Sequence, residues 1–337
     1  MTKLDTVLIN QAVAAHQEGR IEETERLYRS ILENHPTNLI IRNNLGVLLY
    51  SLGRLDEAEA SYRKAIELKP DYVDAYYNLG ITLQSLDKFN EAEASYRKAI
   101  ELKPDYVDAY YNLGITLQSL DKFNEAEASY RKAIELKPDY ELAHNNLGNA
   151  LKELNRYEEA EASYRKAIEL KPDYELAHNN LGNALKELTR LDEAEASFRK
   201  AIELKPDYEL AHNNLGGTLK ELNRLEEAEV SFRKAIELKP DYVDAYNNLG
   251  IIIQNLNRLD EAEASYRKAI ELKSDYAEAH NNLGNTLKKF NRLDEAEASY
   301  RKAIELKSDY AEAHYNLGNA FKEHPRPRYE EAELNFR

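Results

Sequence analysis

The sequence predicts an all-α solenoid, in which antiparallel helix pairs stack in series. The first observation is the tripeptide Asn-Leu-Gly, which recurs every 34 residues and ends at Gly46, Gly80, Gly114, Gly148, Gly182, Gly216, Gly250, Gly284 and Gly318. The second is a marker of the same period, found as Pro36, Pro70, Pro104, Pro138, Pro172, Pro206 and Pro240 and then as Ser274 and Ser308. A fixed period of this length is typical of helical repeat arrays, whose units pack only against their neighbours.

The repeat predicts one continuous solenoid over residues 5–337. A weak first copy occupies residues 5–38, with Ala12 where the glycine falls in later units. In the last unit, residues 324–328 read His-Pro-Arg-Pro-Arg and add two residues between its halves, and the chain stops within a second helix. We expect a truncated array or an altered terminal cap there. The complete and final units are 39–72, 73–106, 107–140, 141–174, 175–208, 209–242, 243–276, 277–310 and 311–337.

Each unit is predicted to be a helical hairpin, and the unit 141–174 shows why. Apolar residues from Ala143 to Leu154 follow the i, i+4, i+7, i+8 spacing of one buried helical stripe. A second stripe runs from Tyr157 to Leu170. The two stripes predict two helices of roughly 12–15 residues.

Local signals predict where the helices of that unit begin and end. Asn155 is followed three residues later by Glu158, which matches a capping box at the start of the second helix. Pro172 cannot continue a helix, and Asp173 is a favourable N-cap for the helix that follows.

Small residues predict close packing between the helices. Gly148 and Ala160 fall where two helices must approach each other, and Tyr164 is expected to fill a larger gap nearby. One hairpin cannot bury enough apolar surface to fold alone, so stacking on neighbouring units supplies the remaining stability. The function is therefore expected to lie on a surface that the array forms.

Composition excludes several classes of function. The formal net charge of -15 argues against nucleic acid as a partner, because phosphate binding needs a dense basic patch. The chain contains no cysteine, which excludes disulfides and cysteine-based catalysis or zinc binding. Neither a secretory signal nor a membrane-spanning run is evident, so we expect a cytoplasmic protein without a membrane partner.

No motif predicts catalysis, a metal site or a cofactor. Histidines recur at the fourth position of five units, but each belongs to a separate hairpin and cannot converge on one metal. We expect them to pack against the preceding unit. Glu161 with Arg165 and Glu59 with Arg63 are i, i+4 pairs, so the many carboxylates are read as a solvated face. The fourth-position histidines are His144, His178, His212, His280 and His314.

The repeat resembles the tetratricopeptide repeat family over residues 5–337. The resemblance implies a right-handed superhelix, whose first helices line a concave groove, and a scaffold or peptide-docking role without catalytic residues. One departure is the fourth position, where the family often has tryptophan and this chain has tyrosine or histidine. In the unit 39–72 the motif residues are Leu45, Gly46, Ala58, Tyr62, Ala65 and Pro70.

An invariant asparagine at the sixth position is the main candidate for partner binding. Asparagine is less favourable than alanine within a helix by roughly 0.5 kcal/mol, so its recurrence calls for a reason. A similar asparagine ladder in the repeat region of O-linked N-acetylglucosamine transferases holds extended polypeptide. Alternatively, each asparagine bonds to the adjacent hairpin and fixes the stacking. The sixth-position asparagines are Asn44, Asn78, Asn112, Asn146, Asn180, Asn214, Asn248, Asn282 and Asn316.

The sequence also predicts that the groove varies along the chain. We expect the groove to be polar in the central units of the array. There the ninth position carries Asn149 or Asn183, and the twelfth position carries Lys152, Lys186 or Lys220. Ile81, Ile115 and Ile251 occupy the ninth position in other units, where the groove is expected to be more apolar. The alternative is that the units are only two duplicated sequence types.

Three functions follow from this reading. The first is a non-enzymatic scaffold that binds an extended peptide segment of a partner protein in the groove. The second is the substrate-docking arm of a larger enzyme, such as a glycosyltransferase. The third is a self-assembling stack, joined through an uncapped apolar face of the C-terminal unit.

Overall fold

The computed structural model describes residues 3–324 and 329–336, and over these residues the chain is helical, with no β-strand. Two compact units, Met1–Pro172 and Asp173–Arg337, divide the chain. The first unit contains α1 Lys3–Gln17, α2 Ile21–Asn34, α3 Leu39–Ser51, α4 Leu55–Leu68, α5 Val73–Ser85, α6 Phe89–Leu102, α7 Val107–Ser119, α8 Phe123–Leu136, α9 Glu141–Glu153 and α10 Tyr157–Leu170. The second contains α11 Glu175–Glu187, α12 Leu191–Leu204, α13 Glu209–Glu221, α14 Leu225–Leu238, α15 Val243–Asn255, α16 Leu259–Leu272, α17 Ala277–Lys289, α18 Leu293–Leu306, α19 Ala311–Glu323 and α20 Tyr329–Phe336.

Helix pairs stack in series within each unit, which confirms the predicted α-solenoid of antiparallel helix pairs. The odd-numbered helix of a repeat packs against its own even-numbered helix, and that second helix packs against the first helix of the next repeat. Successive first helices also touch, as α5 touches α7 in the first unit and α13 touches α15 in the second. From α3 onwards, each first helix begins at the first residue of a repeat.

The core of each repeat from 39–72 to 277–310 contains a glycine and an aromatic ring that face each other. Gly148 on α9 lies against the ring of Tyr164 on α10, and Tyr164 is fully buried. Ala160 and Ala167 are also fully buried on α10. Small residues let the two helices approach while one aromatic ring fills the space between them, as the sequence predicts.

The predicted capping box at Asn155 is wrong. Asn155 has a φ of 57° and lies after the end of α9. Its N–H donates to the Lys152 carbonyl at 2.8 Å, and the N–H of Arg156 donates to the Leu151 carbonyl at 2.9 Å. This is a Schellman motif, which needs a left-handed residue that asparagine tolerates better than most. The N-cap of α10 is Arg156, whose side chain makes no capping hydrogen bond.

The aspartate cap predicted at the other end of the repeat is also wrong. The residue before α11 is Tyr174, which occupies the N-cap position without a side-chain capping bond, and Asp173 precedes it. The two-residue insertion predicted within residues 324–328 falls mainly on residues 325–328, which lie outside the described part of the chain. Within that part, no helix is both long enough and apolar enough to cross a membrane.

Candidate peptide-binding surface

The sixth-position asparagines, which we call the amide row, lie half-buried on the first helices. In seven of them, the side-chain Nδ2 atom donates to the residue 35 positions earlier, at the fifth position of the preceding repeat. The bonds are Asn78 to Asn43 Oδ1 at 3.1 Å, Asn112 to Tyr77 Oη at 3.0 Å, Asn146 to Tyr111 Oη at 3.1 Å, Asn214 to Asn179 Oδ1 at 3.0 Å, Asn248 to Asn213 Oδ1 at 3.4 Å, Asn282 to Asn247 Oδ1 at 3.1 Å and Asn316 to Asn281 Oδ1 at 3.0 Å.

These bonds give the amide row a structural role between consecutive repeats of each unit. Several of the acceptors are buried asparagines, and Asn247, for example, is only 6% exposed to solvent. A carboxamide carries two N–H donors and an oxygen with two acceptor sites. The stacking bond therefore uses one N–H of each of these seven amides, fixes its orientation and leaves a second N–H and further acceptor capacity at a partly exposed position.

The other predicted site residues have different surroundings. Asn149 Oδ1 accepts a hydrogen bond of 2.8 Å from the Tyr164 hydroxyl, whereas the equivalent ring beside Asn183 is Phe198, which has no hydroxyl. Their half-buried carboxamides therefore differ in their partners.

The three predicted lysines also differ from one another. Lys152 forms an ion pair of 2.9 Å with its neighbour Glu153. Lys186 pairs at 3.0 Å with Glu221 of the next repeat. Lys220 is half-buried and forms no ion pair among the described residues. Each lysine is thus in a distinct environment, although the sequence around all three is similar.

The sequence analysis did not predict a series of ion pairs that joins consecutive repeats along the second helices. We call this series the ion-pair ladder. Glu93 accepts a hydrogen bond from Arg97 on its own helix at 2.9 Å and another from Lys122 of the next repeat at 2.8 Å. Its side chain is only 13% exposed, so it is not part of a solvated face. A constant spacing of 29 residues could have revealed the ladder, which also contains Glu25–Arg54, Glu59–Lys88, Glu127–Arg156, Glu195–Arg224, Glu229–Arg258 and Glu263–Arg292.

The fourth-position residues line open cavities between consecutive second helices. The cavity at Tyr110 has a volume of about 530 Å³, with Ile100, Leu113 and Ala128 among its lining residues. Equivalent cavities lie at Tyr76, Tyr246 and His280.

The fourth-position histidines bond to the preceding repeat. In His144, Nε2 donates to the Pro138 carbonyl at 3.0 Å, and in His280 it donates to the Ser274 carbonyl at 3.1 Å. Burial lowers the pKa of His280. Among the described residues no group of three histidine, aspartate or glutamate side chains could hold a metal ion.

Family models match most of the chain. The model described as TPR repeat matches residues 46–87, 148–189, 218–257, 255–290 and 290–324. Two models described as Tetratricopeptide repeat match residues 73–106, 107–140 and 176–208, and residues 27–60 and 129–162. The chain belongs to the tetratricopeptide repeat family.

Solved structures agree with the fold of this tetratricopeptide repeat protein. It is 18% identical to a chain of the APC/C hetero-tetramer Cut9-Hcn1, with 88% of this chain and 59% of that chain covered and a TM-score of 0.60. It is 22% identical to PilF from Pseudomonas aeruginosa, with 61% and 94% covered and a TM-score of 0.56. At these identities the likeness supports the fold alone.

A third solved structure is that of YrrB, described as a TPR protein with an unusual peptide-binding site. It is 28% identical over 55% of this chain and 95% of that chain, with a TM-score of 0.47. No curated protein matches the sequence. The tetratricopeptide repeats, which generally form non-catalytic scaffolds, support a protein-interaction scaffold.

Proposed function

We propose that this tetratricopeptide repeat protein is a non-enzymatic scaffold that binds an extended segment of a partner protein along the first helices of its repeats. The observation that carries the proposal is the amide row, whose members are half-buried and, in the seven bonds given above, held in one orientation by a bond to the preceding repeat. Groups that are ordered before binding lose less conformational entropy when a ligand arrives. The stacking bond and a peptide contact can therefore be made by the same amide.

The spacing of the row suits an extended main chain. Packed helices lie roughly 8–10 Å apart, and an extended chain advances about 3.3 Å per residue. One amide would then meet every third residue of the bound segment. A carboxamide can donate to a peptide carbonyl and accept from a peptide N–H, so the contact would hold the main chain and place few demands on its side chains.

A peptide selection with a charge-matched control tests this proposal. Phage-displayed random peptides are selected on the wild-type protein, and the best peptide is labelled and titrated by fluorescence anisotropy. The test variant changes Asn78, Asn112 and Asn146 to aspartate. Aspartate is nearly isosteric but lacks the N–H that would reach a peptide carbonyl. It can keep a contact with the preceding repeat, because the hydroxyls of Tyr77 and Tyr111 and the rotated amide of Asn43 can donate to it.

The control variant changes Ala60, Ala94 and Ala128 to aspartate, because these alanines are exposed on the second helices of the same unit. We expect at least tenfold weaker binding for the asparagine variant and wild-type binding for the alanine variant, with similar melting temperatures. Equal affinities for the asparagine variant and the wild type would overturn the proposal, as would a selection that enriches no peptide.

A cytoplasmic location and self-association through the last unit remain predictions.

A further inference from the structure

Two tyrosine pairs distinguish the first helices of repeats 73–106 and 107–140 from the others. The rings of Tyr77 and Tyr106 lie 4.7 Å apart between centroids, with an interplanar angle of 37°. Those of Tyr111 and Tyr140 lie 4.9 Å apart at 41°. All four side chains are half-buried, so each pair remains partly accessible to solvent. The ammonium groups of Lys103 and Lys137 each lie 4.6 Å from the ring centroid of the second tyrosine of a pair.

The pairs depend on tyrosine at the fifth position of the repeat. Six other repeats have asparagine there, at Asn43, Asn145, Asn179, Asn213, Asn247 and Asn281. The tyrosine that completes each pair, such as Tyr106, is the residue just before the next first helix. The two aromatic pairs therefore follow each other at the spacing of one repeat, within one compact unit.

The hydroxyl groups of Tyr77 and Tyr111 accept hydrogen bonds from the amide row. Asn112 donates to the Tyr77 oxygen at 3.0 Å, and Asn146 donates to the Tyr111 oxygen at 3.1 Å. Within the described part of the chain, neither hydroxyl donates to a protein group. Each pair thus combines an aromatic surface with one available O–H donor.

We propose that the tyrosine pairs bind a proline-rich segment of the partner in the polyproline II conformation. This inference rests on the proposed function, because it assigns a ligand class to part of the same surface. Aromatic-lined grooves bind polyproline II segments because flat rings pack against pyrrolidine rings and the ligand is already ordered. A proline residue has a carbonyl but no N–H, so such a segment needs donors, which the two hydroxyls supply.

The periodicity of the ligand matches the spacing of the pairs. A polyproline II helix has three residues per turn and rises about 3.1 Å per residue, which gives about 9.3 Å per turn. Adjacent first helices lie roughly 8–10 Å apart. Every third residue of the segment would therefore meet an equivalent tyrosine pair, and residues three apart would share one face of the ligand.

Titration of a labelled decaproline tests the inference directly. Fluorescein-labelled decaproline is titrated with wild-type protein, and a labelled glycine-serine peptide of equal length is the flexible control. The main variant is Tyr77→Asn with Tyr111→Asn, which introduces the residue that other repeats carry at this position. The Asn78–Asn43 bond of 3.1 Å shows that an asparagine pair maintains the contact between repeats.

We expect wild-type protein to bind decaproline and not the flexible peptide, and the double asparagine variant to bind at least tenfold more weakly. A second variant, Tyr77→Phe with Tyr111→Phe, keeps the rings and should show an intermediate loss. Circular dichroism and the melting temperature of both variants should remain close to those of the wild type. Undiminished binding by the double asparagine variant would overturn the inference, and so would the failure of wild-type protein to bind decaproline.

The outcome also separates this inference from the proposed function. If the phage-selected peptide binds through the amide row but decaproline does not bind, the ligand class is wrong and the scaffold proposal stands. If neither peptide binds, both proposals fail.

Discussion

A Cβ atom on Gly148 would lie 2.5 Å from Cε1 of the Tyr164 ring. The ring is fully buried, and its hydroxyl is bonded to Asn149, so it has little freedom to move away. Overpacking of this kind costs about 1–3 kcal/mol, more than the roughly 1 kcal/mol that alanine gains over glycine in a helix. We expect Gly148→Ala to lower the urea midpoint of unfolding.

Gly217→Ala is the matched control for this change. A Cβ atom there would have Lys186 Nζ as its nearest neighbour, at 3.7 Å, which is an ordinary contact. The helix propensity of alanine should then dominate and raise the free energy of unfolding by about 0.5–1 kcal/mol. If both substitutions destabilise equally, the contact with the ring is not what requires glycine at position 148.

The periodic glycine and the buried aromatic residue could be predicted because both belong to a pattern repeated along the chain. The ends of the helices could not be predicted in this way. An asparagine followed three residues later by glutamate suits a capping box, yet Asn155 takes the left-handed conformation that ends α9. Both roles favour the same residue types, and the geometry of the tight turn between the helices decides between them.

The bonds of the amide row were also beyond local sequence reasoning. The acceptor for Asn112 is Tyr77, 35 residues earlier, and only the stacking of consecutive repeats brings the two side chains together. The sequence left peptide binding and stacking open as alternatives. The structure shows the stacking bond, and the peptide contact remains a proposal.

Thr189 is a second target for a stability test. Its φ of 58° lies in the left-handed region, which is unfavourable for a β-branched residue. The equivalent residue of the preceding repeat is Asn155, with a φ of 57°. We expect Thr189→Asn to stabilise the protein by about 0.5–1 kcal/mol, because asparagine tolerates this conformation better. Urea denaturation measures the change.

The reciprocal substitution Asn155→Thr provides the control for Thr189, since the two repeats are almost identical in sequence. It should lower the urea midpoint by at least as much, because it also removes the 2.9 Å hydrogen bond that the Tyr157 hydroxyl donates to Asn155 Oδ1. A neutral result for both substitutions would show that the backbone at this turn does not discriminate between the two residues.

Asn282 tests the structural role of the amide row. Asn282→Ala removes the 3.1 Å bond to Asn247 and leaves the buried Asn247 oxygen without that donor. An unsatisfied buried polar group costs about 1–3 kcal/mol. Asn112→Ala should cost less, because its acceptor is the half-buried hydroxyl of Tyr77. Urea midpoints of the two variants should show this order, and the reverse order would contradict the assignment of the bonds to stability.

The ion-pair ladder predicts that acid destabilises the protein through Glu93. Burial raises the pKa of Glu93, but hydrogen bonds from Lys122 and Arg97 outweigh it and lower the pKa below its ordinary value of 4.5. The unfolded state then binds a proton at higher pH than the folded state does. The contribution of Glu93 is therefore present above about pH 4.5 and is lost as the pH falls through the folded pKa.

Glu93→Gln removes this titration and should reduce both stability near neutral pH and its dependence on acid. Urea midpoints between about pH 7 and pH 3 measure the effect. Glu101→Gln is the control, because Glu101 is 67% exposed and pairs with Lys98 on its own helix, where an ion pair contributes little. The ladder explanation fails if Glu93→Gln has the same stability and the same acid response as Glu101→Gln, since a carboxylate that joins two repeats must contribute more than one on the surface of a single helix.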